Sequence, residues 1–185
     1  RRDLEIAQKL VEAKKATGYP DKFRTCWGKN TSEQIFKIAN LFQTHSLEKG
    51  MTIARQSNTK EVLKNVKRDN IKLEAYTDLE QKFNDLKIPI YVEMILGLPG
   101  ETYETHIQTV RDVMRANIDW INIWTLMLLD GSELNTPKER EKWQLNVKYR
   151  IIPRDFTKLK NGKIVLEIEP VAIGSNTLSF DEYLE

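Results

Sequence analysis

Gln56, Arg68, Glu93 and the turn Gly97-Leu-Pro-Gly100 are the residues of this chain whose types and spacing could do chemistry. Glu93 stands inside Ile88-Pro-Ile-Tyr-Val-Glu-Met-Ile-Leu96, an otherwise apolar run that breaks into the glycine–proline turn and restarts as a helical pattern at Thr102. A run this short and apolar predicts a parallel strand covered on both faces. A carboxylate inside it is costly unless it is paired, hydrogen-bonded or turned toward a ligand. The turn falls at the strand's C-terminal end, where α/β folds assemble their sites. Gln56 and Ser57 follow the preceding strand directly, so in a parallel sheet Gln56 and Glu93 can face one pocket. A neutral amide beside a carboxylate suits the vicinal hydroxyls of a ribose. The guanidinium of Arg68 suits a ligand carboxylate through a bidentate pair. The plainer alternative stands beside this: Arg68 as a helix-end cation favoured by the dipole, Gln56 as a turn residue.

The elements that must position these residues alternate. Residues 3–17 carry Leu4, Ala7, Leu10 and Val11 on one helical face, stopped by Gly18-Tyr-Pro20. Lys22–Gly28 is a strand candidate. Thr31-Ser-Glu-Gln34 is a capping box for a helix with Ile35, Ile38, Ala39 and Phe42 inward. Met51–Arg55 is a strand, and Asn58-Thr-Lys-Glu61 caps a short helix bearing Val62, Leu63 and Val66. Residues 72–86 are amphipathic, and residues 102–116 form a helix facing inward through Ile107, Val110, Val113 and Met114. Asp119–Leu129 is a further strand whose Trp120, Ile121, Ile123 and Trp124 pack in the core or against outer helices. Repeated β–α units call for a parallel sheet with right-handed crossovers. About four core strands are visible, too few for a closed barrel of eight. Beyond Asp130-Gly131 the rhythm stops. Pro137 opens a short charged helix, Asn161-Gly162 turns a hairpin between Phe156–Lys160 and Lys163–Glu169, and Ser179-Phe-Asp-Glu182 is a capping box.

Other candidates are weaker. Gly97-Leu-Pro-Gly100 could hold a phosphate ahead of a helix, but it lacks a Walker lysine and a G-x-G-x-x-G pattern. Cys26 reads as a small core residue rather than a nucleophile. His45 and His106 sit on helices among polar residues and are expected to face solvent. Trp27-Gly-Lys-Asn30 ends a strand candidate, and Lys29 and Asn30 are either ligand-facing or turn residues.

Composition bounds the partners. The chain has 185 residues and a formal net charge of +2, which gives no electrostatic case for nucleic acid or an anionic membrane. No apolar run reaches the roughly 18–20 residues of a membrane span. One cysteine excludes an internal disulfide and an all-cysteine metal or iron–sulfur site within these residues, and it fits a reducing, cytoplasmic compartment. The start at Arg1, already in a helical pattern, suggests a piece of a longer protein.

Gln56-Ser57, Arg68 twelve residues on, Glu93 twenty-five after that, and Gly97-Leu-Pro-Gly-Glu-Thr102 resemble the second half of a radical S-adenosylmethionine (SAM) enzyme. The tail, Ile164-Val-Leu-Glu-Ile-Glu169 and Ser175–Glu185, resembles the region after the barrel in the cobalamin-binding branch, as Arg2-Asp3 and Trp27-Gly-Lys-Asn30 do more weakly. The resemblance implies part of a (β/α)6 barrel over residues 1–130 and a post-barrel extension with a β-hairpin over 131–185. It implies SAM and a [4Fe–4S] cluster as cofactors, a 5′-deoxyadenosyl radical or a methylated product, and cobalamin on a domain outside this chain. Gln56 and Glu93 match positions that approach the ribose, Ser57 beside Gln56 is a further cofactor-binding position, and Arg68 matches the partner of the methionine carboxylate. Gly97 supports the cofactor end of its strand, Asn30 reaches the methionine amino group or the substrate, and Met127 lines the adenine side. The Cys-x3-Cys-x2-Cys cluster motif is absent, so the cluster ligands lie outside this chain and the isolated piece is expected to be inactive. An α/β segment that binds a nucleotide or a protein partner without chemistry is the alternative. An exposed sheet edge would leave the chain open to self-association.

Overall fold

A computed structural model describes residues 2–23, 33–68, 80–116 and 118–185. The capping box at Thr31, the residues Cys26 and Asn30, and most of the strand candidate Lys22–Gly28 lie outside the described residues. Phe23 makes a single parallel bridge with Glu48. The chain divides into two compact units: Arg1–Gln56, Asp69–Met94 and Val110–Asn122 form the first, and Ser57–Arg68, Ile95–Thr109 and Ile123–Glu185 the second. The strands β1 (Met51–Gln56), β2 (Ile90–Leu96) and β3 (Trp120–Thr125) form a sheet in the order β1-β2-β3, with β1 and β2 parallel.

In the first unit, α1 (Arg2–Thr17) and α2 (Glu33–Thr44) meet through the stripes that their periodicity predicts. Ala7 and Val11 of α1 pack with Ile38, Phe42 and Leu47. Gly18, at φ +80°, closes α1 by donating its N–H to Lys14 O at 2.8 Å. A second core joins Ala39, Met51, Val113 and Phe83 of α4 (described over 80–85) to Ile90, Val92 and Met94 of β2. β2 is therefore covered on one face, not two: Ile90, Val92 and Met94 are buried, whereas Tyr91, Glu93 and Ile95 are half-buried. Asp119 fixes the start of β2 by accepting the Ile90 N–H at 2.8 Å.

The expectation that the tryptophans near β3 pack inside is overturned. Trp120 is 61% exposed and Trp124 52%, because β3 is an outer strand of the sheet. Met114 is also exposed, and the buried positions at this helix end belong to Val113 and, in part, Val110.

Buried charge shapes this unit too. Arg55 and Glu80 face each other at 3.7 Å with side chains 3% and 5% exposed. Burial pushes the Glu80 carboxyl above its ordinary value, against the pull of Arg55. Burial does the same to Glu48, against the N–H groups of Gly50 and Lys49, each 2.9 Å from Oε1, and against Lys22. A raised carboxyl stabilises the fold below its unfolded pKa of about 4.3 and loses that contribution as pH rises through the folded value. Glu48→Gln keeps an acceptor for both N–H groups but cannot ionise. Its melting temperature is expected to fall less than that of the parent chain as pH rises from below that window to neutrality. Parallel pH profiles of the two proteins would remove Glu48 from this account.

In the second unit, α3 (Lys60–Asn65), Leu98, Leu126, Leu128 and Ala172 share a core. The expected cap at Asn58 moves by one residue: Thr59 is the N-cap without a side-chain bond, and Ser57 Oγ accepts the Thr59 N–H at 3.2 Å. The chain expected as one strand to Leu129 leaves β3 after Thr125. Leu126 then donates to Leu96 O at 3.0 Å, and Met127 bridges Val171. Pro137 opens α6 (Pro137–Lys142), capped by Thr136. The hairpin is longer than expected: β4 (Val147–Lys158) pairs antiparallel with β5 (Ile164–Ala172), with an irregularity between Ile151 and Phe156. Leu159 and Gly162 close the predicted turn. The expected capping box of Ser179 and Glu182 starts α7 (Phe180–Leu184). The 103–115 helix, Tyr103–Arg115, is α5.

Among the described residues no helix is long and apolar enough to cross a membrane.

Candidate functional site

Within the first unit, Gln56 and Glu93 sit on paired strands near their C-terminal ends. Ala54 pairs with Glu93 and Gln56 with Met94, so Arg55 is the extra residue of a bulge. Bulges re-aim the side chains that follow them. Gln56 then adopts φ +55°, a conformation costly for a residue with a side chain and frequent at functional sites. The Glu93 carboxylate is half-buried and, among the described residues, has no hydrogen bond or ion pair. Tyr91, on the same face of the strand, is packed so close to Gly50 that a Cβ there would fall 1.9 Å from its Cε2. Gly50 therefore has to be glycine, and its backbone fixes the ring beside which Glu93 emerges.

In the second unit, the turn after β2 is built around a buried acid. Gly97, at φ +89°, donates its N–H to Glu101 Oε2 at 2.8 Å. Glu101 Oε1 meets His106 Nδ1 at 3.0 Å. The Glu101 side chain is 0% exposed and that of His106 8%. The Glu101 main-chain oxygen accepts from Thr177 Oγ1 at 2.7 Å. Gly100, at φ +83°, lies against Asn65, whose amide donates to Pro99 O at 3.1 Å; a Cβ on Gly100 would fall 2.5 Å from Asn65 Nδ2. The turn is thus held by a carboxylate from within, by α3 from one side and by Thr177 from another.

Ser57 is buried and heads α3, while Asn58 donates to Thr109 Oγ1 at 3.4 Å. Arg68 is half-buried and donates its N–H to Leu63 O at 2.8 Å, closing the end of α3. Met127 is 41% exposed. Gln56 and Glu93 are thus brought together on neighbouring strands, and Ser57, Arg68, Gly97 and Met127 lie in the second unit. Asn30 is outside the described residues.

The sequence reasoning missed Glu101, His106 and Thr177. His106 is buried, contrary to the expectation that it faces solvent. Its available signal was the acid five residues earlier, at the mouth of a helix beside two glycines. Among the described residues no group of three or more His, Cys, Asp or Glu could hold a metal ion.

No family model matches the chain. Its sequence is 32% identical, over 100% of its length, to the 2-(S-pantetheinyl)-carbapenam-3-carboxylate methyltransferase of Streptantibioticus cattleyicolor, of which it covers 27%. It is 34% identical, over 83% of its length, to the cobalamin-dependent radical SAM methyltransferase TokK of Streptomyces tokunonensis, of which it covers 22%. The chain therefore spans about a quarter of the length of these curated relatives. Its fold is similar to that of the radical SAM methyltransferase TsrM of Kitasatospora setae, solved with cobalamin and a [4Fe-4S] cluster. The TM-score is 0.57 at 15% identity, over 92% of this chain and 37% of that one. A second TsrM structure, with tryptophan and a SAM analogue, gives a TM-score of 0.52 at 15% identity over 91% and 36%. Over its whole length the chain is thus similar to a part of one methyltransferase, and over 83% of its length to a part of a cobalamin-dependent radical SAM methyltransferase.

Proposed function

We propose that this chain supplies part of the SAM-binding wall of a cobalamin-dependent radical SAM methyltransferase. Residues 1–130 contribute strands and helices of a partial (β/α)6 barrel, and residues 131–185 form the extension after it. The observation that carries this reading is the Glu93 carboxylate, held half-buried without a partner among the described residues, on the strand next to the bulge that turns Gln56. That donor set fits a ribose diol: the carboxylate accepts two hydroxyl protons and the amide can donate or accept. In the first unit Gln56 and Glu93 take the ribose. In the second, Arg68 takes the methionine carboxylate through its guanidinium, Ser57 and Gly97 line the cofactor end, and Met127 takes the adenine side. Asn30 takes the methionine amino group or the substrate.

A [4Fe–4S] cluster, when bound, supplies the electron that splits the sulfonium. One cysteine cannot hold it, so its ligands and the cobalamin domain come from elsewhere in the parent protein. What Gln56 and Glu93 of the first unit do is hold the ribose hydroxyls, and what Arg68 of the second unit does is hold a carboxylate.

The test is anaerobic reconstitution of the parent polypeptide followed by titration with SAM. The expected outcome is a cluster absorbance and one SAM site in the parent, and no cluster absorbance in the 185-residue chain alone. A parent that forms a cluster but does not bind SAM would overturn the reading.

A further inference from the structure

We infer, resting on the SAM-binding role proposed above, that Thr177 and Tyr183 of the extension are positioning residues for SAM. Their hydroxyls hold the turn after β2 and the end of β3 against which the cofactor is set. Thr177 Oγ1 donates to Glu101 O at 2.7 Å, 76 residues back along the chain. The Tyr183 hydroxyl and Thr125 Oγ1 meet at 2.8 Å across 58 residues. Thr125 is the last residue of β3, and Glu101 closes the turn that begins at Gly97. Leu126 N–H donates to Leu96 O at 3.0 Å, which sets the two strand ends side by side. Ligands of α/β folds gather at the C-terminal ends of strands. All of these residues belong to the second unit.

The segment that carries Thr177 is itself fixed. Ser175 Oγ accepts the N–H groups of Thr177 at 3.1 Å and Leu178 at 3.2 Å, and Ser175 N–H donates to Leu178 O at 2.7 Å. Ser175 Oγ also lies 3.2 Å from Thr177 Oγ1. A hydroxyl has one proton to give. That of Thr177 goes to Glu101 O, which can only accept, so Ser175 donates to Thr177. The relay from Ser175 through Thr177 aims one hydroxyl at one main-chain oxygen. Asn176 N–H is held by Trp143 O at 2.9 Å, and Leu178 is buried. Tyr183 is steadied by its ring, which stacks on Phe180.

The two ends of the Gly97–Glu101 turn are therefore held separately. Gly97 N–H is held by the Glu101 carboxylate at 2.8 Å, and Glu101 O is held by Thr177. Removing the Thr177 hydroxyl leaves the buried carboxylate in place and the turn formed, but it frees the far end of the turn. A ligand that rests on the backbone of the turn registers this shift more than the packing behind it does. That difference separates a positioning role from a merely structural one.

The experiment is SAM titration of the reconstituted parent polypeptide, well below its melting temperature, with Thr177→Val and Tyr183→Phe. Each variant is expected to bind SAM about 3- to 10-fold more weakly, the weight of one hydrogen bond. Thr177→Ser, which keeps the hydroxyl, is expected to bind as the unaltered protein does. Thr136 caps α6 in the same extension, so Thr136→Val is expected to lower the melting temperature and leave SAM affinity unchanged. In the 185-residue chain without cofactors, Thr177→Val is expected to quicken amide exchange over residues 97–101 and leave the β4–β5 hairpin as it was. Unchanged SAM affinity in either variant, in a parent that binds SAM, overturns the inference for that residue. So does a loss that Thr136→Val matches. A parent that forms its cluster and binds no SAM instead overturns the SAM-binding role itself. If Thr177→Val does not fold, Tyr183→Phe and Thr177→Ala decide by the same titration.

Discussion

Glu101→Ala is expected to lower the unfolding free energy by about 3–5 kcal/mol, the range for breaking a buried polar pair and leaving its partners unmet. The side chain is 0% exposed, so water cannot replace what it provides. Its loss leaves the Gly97 N–H without its 2.8 Å acceptor and His106 Nδ1 without its 3.0 Å partner. Both groups are buried, and each unmet polar atom carries its own desolvation cost. Gly97 is committed to φ +89°, and the carboxylate is the side-chain group that secures its N–H there. Glu101→Gln is expected to lose less, because a carboxamide oxygen can still accept from Gly97 and its NH2 can donate to a His106 ring whose proton has moved to Nε2. Urea unfolding of the three proteins measures the difference. A loss below about 1 kcal/mol for Glu101→Ala, the size of one ordinary hydrogen bond, would mean that the turn after β2 is held by glycine geometry and packing alone.

That result bears on what the sequence could and could not reveal. The turn itself was legible, because two glycines around a proline at the end of an apolar run have few other uses. Glu93 was legible for the opposite reason, as a residue that does not belong in such a run. The buried acid behind the turn was not. Glu101 follows a glycine and precedes a helix, where an exposed acid is equally at home near the positive end of the dipole. Only the fold reveals that His106 and Thr177, five and seventy-six residues away, close over it.

The same contrast runs through the strands. In β2, alternation of burial was masked because both of its faces carry apolar residues, and the half-open face became visible only in the structure. In β3 the run Trp-Ile-Asn-Ile-Trp suggested a buried strand, but composition does not tell an outer strand from an inner one. In the hairpin, the turn at Asn161-Gly162 was legible, but the extension of β4 back to Val147, across the irregularity between Ile151 and Phe156, was not. The bulge after Ala54 left no mark in the sequence. Yet it decides the direction of Gln56, so the candidate ribose contact depends on a backbone feature that residue spacing alone does not disclose.

The other large effect concerns the proposed ligand. In the parent enzyme, Arg68→Ala is expected to weaken SAM binding by about 2–4 kcal/mol, or roughly 30- to 800-fold, through loss of a charge-assisted pair to the methionine carboxylate. The position favours that role. Arg68 ends α3, its main chain is tied to Leu63 O, and its side chain is half-buried, so little of the binding energy is lost in ordering it. Arg68→Lys keeps the charge but not the planar fork, and is expected to recover only part of the affinity. Glu93→Ala is expected to act differently. Removing a half-buried carboxylate without a partner among the described residues relieves a desolvation cost in the free protein while it removes the ribose contact. That variant should therefore bind SAM more weakly and yet unfold at a slightly higher temperature. Calorimetric titration and thermal unfolding of the same two variants separate a ligand contact from a structural one. Arg68→Ala with unchanged SAM affinity removes Arg68 from the site, and Glu93→Ala with a lowered melting temperature makes Glu93 a structural residue rather than a waiting ligand.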